Sequence, residues 1–174
     1  MPKSEATRTD PQHRLLLETV YECLENRGLI RNKGVETERL GFFIGFMGSE
    51  FNEYADEDSL SMIGQTNSAI SGRLNHFFKS FGPSVVIDTA CSSGLVALDC
   101  ALKAIKNGDC NKAIVASVGL IISDRGMKQR INARLLSKDG RCYSFLEKAS
   151  GYGRSEGCVA LLIEKLNDSC EVIL

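Results

Sequence analysis

Val85-Val86-Ile87-Asp88-Thr89-Ala90-Cys91-Ser92-Ser93-Gly94-Leu95 is the stretch on which the fold turns. Ser84 to Asp88 is a β-branched run of the kind that forms a buried strand. From Ser92 to Lys106 apolar residues return at helical spacing, with Leu95, Leu98, Leu102 and Ile105 on one face, and Gly108 ends the run. Cys91 is thereby set in a strand-to-helix turn, at the positive end of a helix dipole. Unpaired backbone N–H groups at such a place favour an anion, and thiolate rather than thiol is the competent nucleophile. Thr89, Ala90, Ser92, Ser93 and Gly94 are small and leave the sulfur approachable. The residues alone leave two readings open: an activated nucleophile, or a structural thiol packed like any small apolar group.

Working outward, strands and helices alternate. Asp10-Pro11 opens a helix, with Asp as N-cap and Pro at the first helical position. Leu15, Leu16, Val20, Cys23 and Leu24 give it an apolar side, and Gly28 is placed to stop it. Residues up to Thr9 read as a disordered lead-in, and Arg31 to Arg39 as a polar loop. Gly41 to Phe46 reads as a short buried strand, and Glu50 to Ser61 as a solvated acidic loop. A helix spans Asn67 to Phe78, and Gly82-Pro83 breaks the chain before the Cys91 strand. Ala113 to Val118 is a further buried strand, Met127 to Leu136 a helix, Ser137 to Gly140 a turn, and Gly157 to Lys165 a last hydrophobic strand. The alternation predicts an α/β architecture with at least one parallel β-α-β unit.

Composition removes several classes of function. The 174 residues are 43% hydrophobic and 25% charged, with a net charge of -1, as in an ordinary soluble domain. A chain of this length buries about two-thirds of its unfolded surface. No basic stripe with interleaved aromatics marks a nucleic-acid module, and no apolar run is long enough to span a bilayer. The seven cysteines include no C-x-x-C pair, so neither a zinc site nor a thioredoxin-type motif is expected. With no signal-peptide core at Met1 to Glu5, reduced thiols in the cytoplasm are the expectation. The acidic residues from Glu50 to Asp58 lack the spacing of a calcium loop.

Asp88-Thr89-Ala90-Cys91-Ser92-Ser93-Gly94 resembles the active-site signature of β-ketoacyl synthases, the ketosynthase domains of fatty-acid and polyketide synthases. Four more segments match the family in order. Asp10 to Glu18 resembles the helix near the start of multidomain ketosynthases, and Gly82-Pro83-Ser84 precedes the active-site strand. Leu136 to Cys142 resembles L-S-x-D-G-R-C, and Gly151 to Gly157 resembles G-Y-x-R-x-E-G. The resemblance runs from Asp10 to about Leu166 and points to the animal-type fatty acid synthase, with type I polyketide synthases a near second. The strand-cysteine-helix turn also resembles the elbow of α/β hydrolases, but Ala90-Cys91-Ser92-Ser93 lacks the G-x-S-x-G glycines.

The family resemblance implies a thiolase-like fold, here its N-terminal half, a mixed sheet with flanking helices over residues 10–174. It implies that Cys91 accepts an acyl group from a carrier-protein phosphopantetheine thioester. A malonyl thioester then loses carbon dioxide and its carbanion attacks the acyl-cysteine. The Cys91 N–H would form part of an oxyanion hole. No metal or small organic cofactor is implied, because the pantetheine belongs to the acyl carrier protein. A homodimer through the active-site strand and helix is implied as well. The family's two catalytic histidines, a lysine and a glycine-phenylalanine loop belong to its second half, so these residues are expected to be a partial domain. A non-catalytic module that binds a carrier protein or synthase partner is the alternative. His13 is expected on a solvated face and His76 in a structural role, and neither matches a family catalytic position. Phe77 and Phe78 are expected in a core or dimer interface, and Arg154 and Glu156 as an ion pair. Two departures stand out: Gly94 replaces a serine common in the family, and Ala116-Ser117-Val118-Gly119 stands where the family often has two consecutive glycines.

Overall fold

The structure, a computed structural model, describes residues 2–30, 39–54 and 58–165. Four strands form one sheet: β1 (Leu40–Gly45), β2 (Ser84–Ile87), β3 (Lys112–Gly119) and β4 (Gly157–Glu164), in the order β2-β1-β3-β4. β1 runs parallel to β2 and β3, and β4 is antiparallel to β3. The sheet is therefore mixed, with its parallel part made by helical crossovers as the alternation predicts.

Helices cover both faces. α2 (Pro11–Asn26) and α4 (Asn67–Phe78) lie on one face and α5 (Ser93–Asn107) on the other. Side chains alternate along a strand, so Phe42 and Ile44 of β1 join Leu16, Val20, Leu24, Ile70 and Leu74 under α2 and α4. Phe43 points the other way, to Ala97, Ala101 and Ala104 of α5. All six residues of β1 are buried, as expected of a central strand covered on both faces. Three short helices, α1 (Lys3–Ala6), α3 (Ser59–Gln65) and α6 (Asp124–Asn132), and a 3-10 turn at Phe51–Tyr54 complete the described elements.

Several expectations need correction. Residues 2–9 are not a disordered lead-in: they hold α1, Thr9 is fully buried, and Glu5 forms an ion pair with Arg73 of α4. The acidic segment is largely built into structure. Asp58 caps α3 by accepting from the Ser61 N–H at 2.7 Å, and it pairs with Arg8. Asp56, Glu57 and residues 31–38 of the expected polar loop lie outside the described residues. β2 is not a buried strand, because it forms the sheet edge with Ser84 and Val85 exposed. α6 begins three residues earlier than expected and ends at Asn132, before Arg134 turns to φ +55°.

The largest correction concerns α5. The face of Leu95, Leu98, Leu102 and Ile105 does not pack on the sheet as a unit. Ala97, Ala101, Ala104 and Ile105 are buried there, while Leu95 is 74% exposed and Leu102 41%. Small residues win because the helix starts almost in contact with the strands. A Cβ added at Gly45 would lie 2.6 Å from Ser117 Oγ and 2.7 Å from the Gly94 nitrogen, and one added at Gly94 would lie 2.8 Å from Ser117 Oγ. The two departures from the family pattern thus face each other, with the Ser117 hydroxyl filling the space that a side chain at residue 94 would need.

His13 is buried rather than solvated, with 3% exposure and its ring edge-on to Phe46 at 5.8 Å. Both ring nitrogens lack a hydrogen-bond partner among the described residues. Burial lowers its pKa to about 4; Asp10 opposes the shift and Arg73 adds to it. His76 and Phe77 are exposed on α4, whereas Phe78 is in the core.

Two measurements check this packing. Because His13 protonates near pH 6.5 in the unfolded chain but near 4 when folded, stability is full above pH 6.5. It declines as pH falls towards 4, by on the order of 3 kcal/mol. Denaturant unfolding at pH 7, 5.5 and 4.5 should show the decline, and His13→Phe should flatten it. Gly94→Ser should destabilise the chain by about 1–3 kcal/mol through overpacking. Ser117→Gly in that background should recover most of the loss in a thermal melt.

Candidate active site

Cys91 sits at the apex of a turn between β2 and α5, built from local hydrogen bonds. Asp88 Oδ1 accepts from the Ala90 N–H at 3.0 Å. Ser93 Oγ accepts from the Thr89 N–H at 2.9 Å and donates to the Ala90 carbonyl at 2.6 Å. Ser92 Oγ donates to the Thr89 carbonyl at 2.8 Å. Ala90 has φ +55°, a left-handed conformation uncommon for a residue with a Cβ. The small polar residues around Cys91 therefore do more than leave room, since they tie a sharp reversal that presents the thiol. Cys91 is exposed, and the α5 backbone begins two residues later.

The thiol opens onto a cavity of about 400 Å³ at the carboxyl ends of the parallel strands. Its walls are Gly45 to Met47 after β1, Ser117 to Gly119 at the end of β3, the turn around Cys91, and Ser155 to Gly157 with Val159. This is the crevice where open α/β sheets hold ligands. A second cavity of about 370 Å³ adjoins it and shares Met47, Val118, Gly119 and Ser155. Its lining includes the polar side chains of Gln12, Glu50, Arg130 and Arg154.

The expected Arg154–Glu156 ion pair does not form. Arg154 Nη2 donates to Glu50 Oε1 at 2.6 Å, while Glu156 Oε2 accepts from the Ile121 N–H at 3.0 Å. The two side chains thus take partners in different loops, Arg154 in the loop after β1 and Glu156 in the loop after β3. Glu50, read as part of a solvated loop, is instead an enclosed anchor. It also accepts from Arg130 Nη1 and from the N–H groups of Ile122 and Ser123. Burial acts to raise its pKa, but the Ser123 N–H, Arg154 and the Ile122 N–H outweigh it and hold the carboxyl below its ordinary range.

The other quoted motifs also resolve into contacts. Asp10 Oδ1 accepts from the Gln12 N–H at 2.7 Å, and Gln12 Oε1 accepts from the Leu120 N–H at 3.0 Å, so the helix-start motif ties α2 to the exit of β3. Leu136-to-Cys142 and Gly151-to-Gly157 pack on each other. The Tyr152 N–H donates to the Leu135 carbonyl, the Ser137 N–H donates to the Tyr152 carbonyl, and the Gly153 N–H donates to Cys142 Sγ at 3.3 Å. A Cβ at Gly153 would meet the Gly140 carbonyl oxygen at 2.1 Å. Neither histidine lines the Cys91 cavity: His13 lies behind Phe46, and His76 is on the outer side of α4. Among the described residues no three His, Cys, Asp or Glu side chains converge as a metal site would need, and no helix is long and apolar enough to cross a membrane.

Comparison with known proteins agrees with this architecture. Residues 1–169 match the family described as "Beta-ketoacyl synthase, N-terminal domain". The chain is 40% identical over 173 residues to cyclo-acetoacetyl-L-tryptophan synthase of Aspergillus oryzae, covering 95% of this chain and 4% of that protein. To a reducing polyketide synthase of Cochliobolus heterostrophus it is 39% identical, covering 95% of this chain and 7% of that one. A ketosynthase from module 6 of the bacillaene synthase of Bacillus subtilis superposes with a TM-score of 0.87 at 31% identity, over 97% of this chain and 28% of its own. An oxazolomycin ketosynthase domain from Streptomyces albus gives 0.86 at 36% identity, over 95% and 30%. The chain thus spans a small fraction of these relatives, which are of the polyketide synthase type, the second of the two affinities the sequence suggested. On the sheet, the motifs and these relatives together, the chain belongs to the β-ketoacyl synthase family and forms the N-terminal part of a ketosynthase domain of the polyketide synthase type.

Proposed function

We propose that Cys91 is the acyl acceptor of a β-ketoacyl synthase. The observation that carries this reading is an exposed thiol on a strained turn at the start of α5, facing a cavity at the carboxyl ends of the parallel strands. The thiolate attacks the carbonyl carbon of an acyl thioester carried on the phosphopantetheine of an acyl carrier protein. The carbon–sulfur bond to pantetheine breaks, and the pantetheine thiol leaves with a proton. The Cys91 N–H at the helix start supplies one donor to the oxyanion of the tetrahedral intermediate. In the second step a malonyl thioester loses carbon dioxide. Its carbanion then displaces the acyl group from Cys91, regenerating the thiolate and giving a β-ketoacyl thioester. No cofactor binds the chain directly in this scheme.

The second step draws on the family's two histidines, whose motifs these 174 residues do not contain. Acyl transfer to Cys91 is the step on which the lining of the described cavity bears. The same observation favours a second reading, a ketosynthase-like module that binds a carrier protein or synthase partner without condensing. A cysteine hydrolase fits poorly, because neither His13 nor His76 reaches the cavity as a base. Self-association belongs to the proposal as well. Among the described residues no strand pairs with the outer edge of β2, where Val85 is 39% exposed and nearby Phe81 82% exposed, and such an edge accepts a second chain.

Intact-mass spectrometry after incubation with an acyl-pantetheine thioester tests the reading. The expected result is a single acyl adduct, absent from a folded Cys91→Ala variant and unaffected by His13→Ala or His76→Ala. No adduct on a folded wild-type chain would leave the non-catalytic module as the better account.

A further inference from the structure

Glu50 joins three segments that are far apart in the chain. Oε1 accepts from Arg154 Nη2 at 2.6 Å and from Arg130 Nη1 at 3.2 Å. Oε2 accepts from the N–H groups of Ile122 at 3.2 Å and Ser123 at 3.1 Å. Its side chain is 20% exposed and that of Arg154 only 11%. Gly126 leaves the space the carboxylate occupies, since a Cβ there would lie 2.4 Å from Oε1. Arg154 Nη1 is buried without a partner, so among the described residues Glu50 is the anion that holds this guanidinium.

The three segments are also walls of the Cys91 cavity or continue directly from them. Phe46 and Met47 lead to Glu50, Val118 and Gly119 lead to Ile122, and Arg154 leads to Ser155, Glu156 and Gly157. We propose that Glu50 is a positioning residue for the Cys91 site, which holds the Ser155-to-Gly157 wall where a thioester seated in the cavity meets the sulfur. This rests on Cys91 being the acyl acceptor. The carboxylate is irreplaceable here because all four of its partners are donors. A glutamine amide would turn its own donors towards at least one of them.

The test uses the whole 174-residue chain with Glu50→Gln and Arg154→Lys, read by hydrogen exchange and by two Cys91 reagents. Expected in both variants is faster exchange at residues 153–157, by about tenfold or more, with α2 and β1 unchanged. Only Glu50→Gln should also loosen residues 121–123, so Arg154→Lys keeps the test open if Glu50→Gln fails to fold. Acylation by an acyl-pantetheine thioester should slow by on the order of tenfold to a hundredfold, as small misplacements do. Alkylation of Cys91 by iodoacetamide, which needs no wall, should keep its wild-type rate. Unchanged exchange at 153–157 overturns the proposal, as does wild-type acylation on a loosened wall, or equal slowing by both reagents. If the wild-type chain takes no acyl group, the nucleophile reading fails, and the exchange result alone decides whether Glu50 holds the wall.

Discussion

The approach of α5 to the sheet governs the rest of the structure. Gly45 at the end of β1 and Gly94 in the first turn of α5 present bare backbone to each other, and the Ser117 side chain of β3 fills the remaining gap. At that spacing the helix can bury only small side chains, which is why alanines rather than leucines face Phe43 and Val115. The same spacing sets where the chain must reverse after β2. Ala90 is driven to positive φ, and Cys91 is left at the surface of a crevice rather than in the core. Exposure of the thiol is a consequence of how closely a helix can lie on a sheet.

Much of this was legible in the sequence because the governing signals are local. The Asp10 cap, the apolar spacing of α2 and α4 and the apolar runs of β1 and β3 each lie within one window of chain, and each element formed where expected. What the sequence hid depends on distance. Glu50 carries no pattern of its own, and the arginines that enclose it lie about 80 and 104 residues further on. His13 stands between Gln12 and Arg14 and reads as polar surface, yet Asp10, Gln12 and His13 are all buried. Asp10 and Gln12 satisfy their polar atoms through each other and Leu120, a compensation that no hydropathy pattern records. The wrong face of α5 has a similar origin. Periodicity shows that a helix has an apolar side, but not that two sides are apolar for different reasons.

The motif segments gain a common meaning from the same geometry. The signature near Cys91 builds the turn, the Asp10 segment ties α2 to the exit of β3, and the two late glycine-containing segments pack backbone on backbone, the second of them lining the cavity through Ser155 to Gly157. Each contributes shape rather than a reacting group. Cys91 is the one cysteine among the residues that line the crevice, and the other quoted residues act on where that sulfur sits and what surrounds it.

That division of labour has a consequence for biosynthesis. The turn bearing Cys91 is stitched by bonds among residues 88 to 93, whereas its last wall comes from Ser155 to Val159. A ribosome adding about 5–20 residues per second delivers the thiol several seconds before it delivers that wall. During that interval the residues of the turn exist without the residues that later wall their crevice. Pairing of β4 with β3 then brings the wall into place beside a thiol that stays exposed.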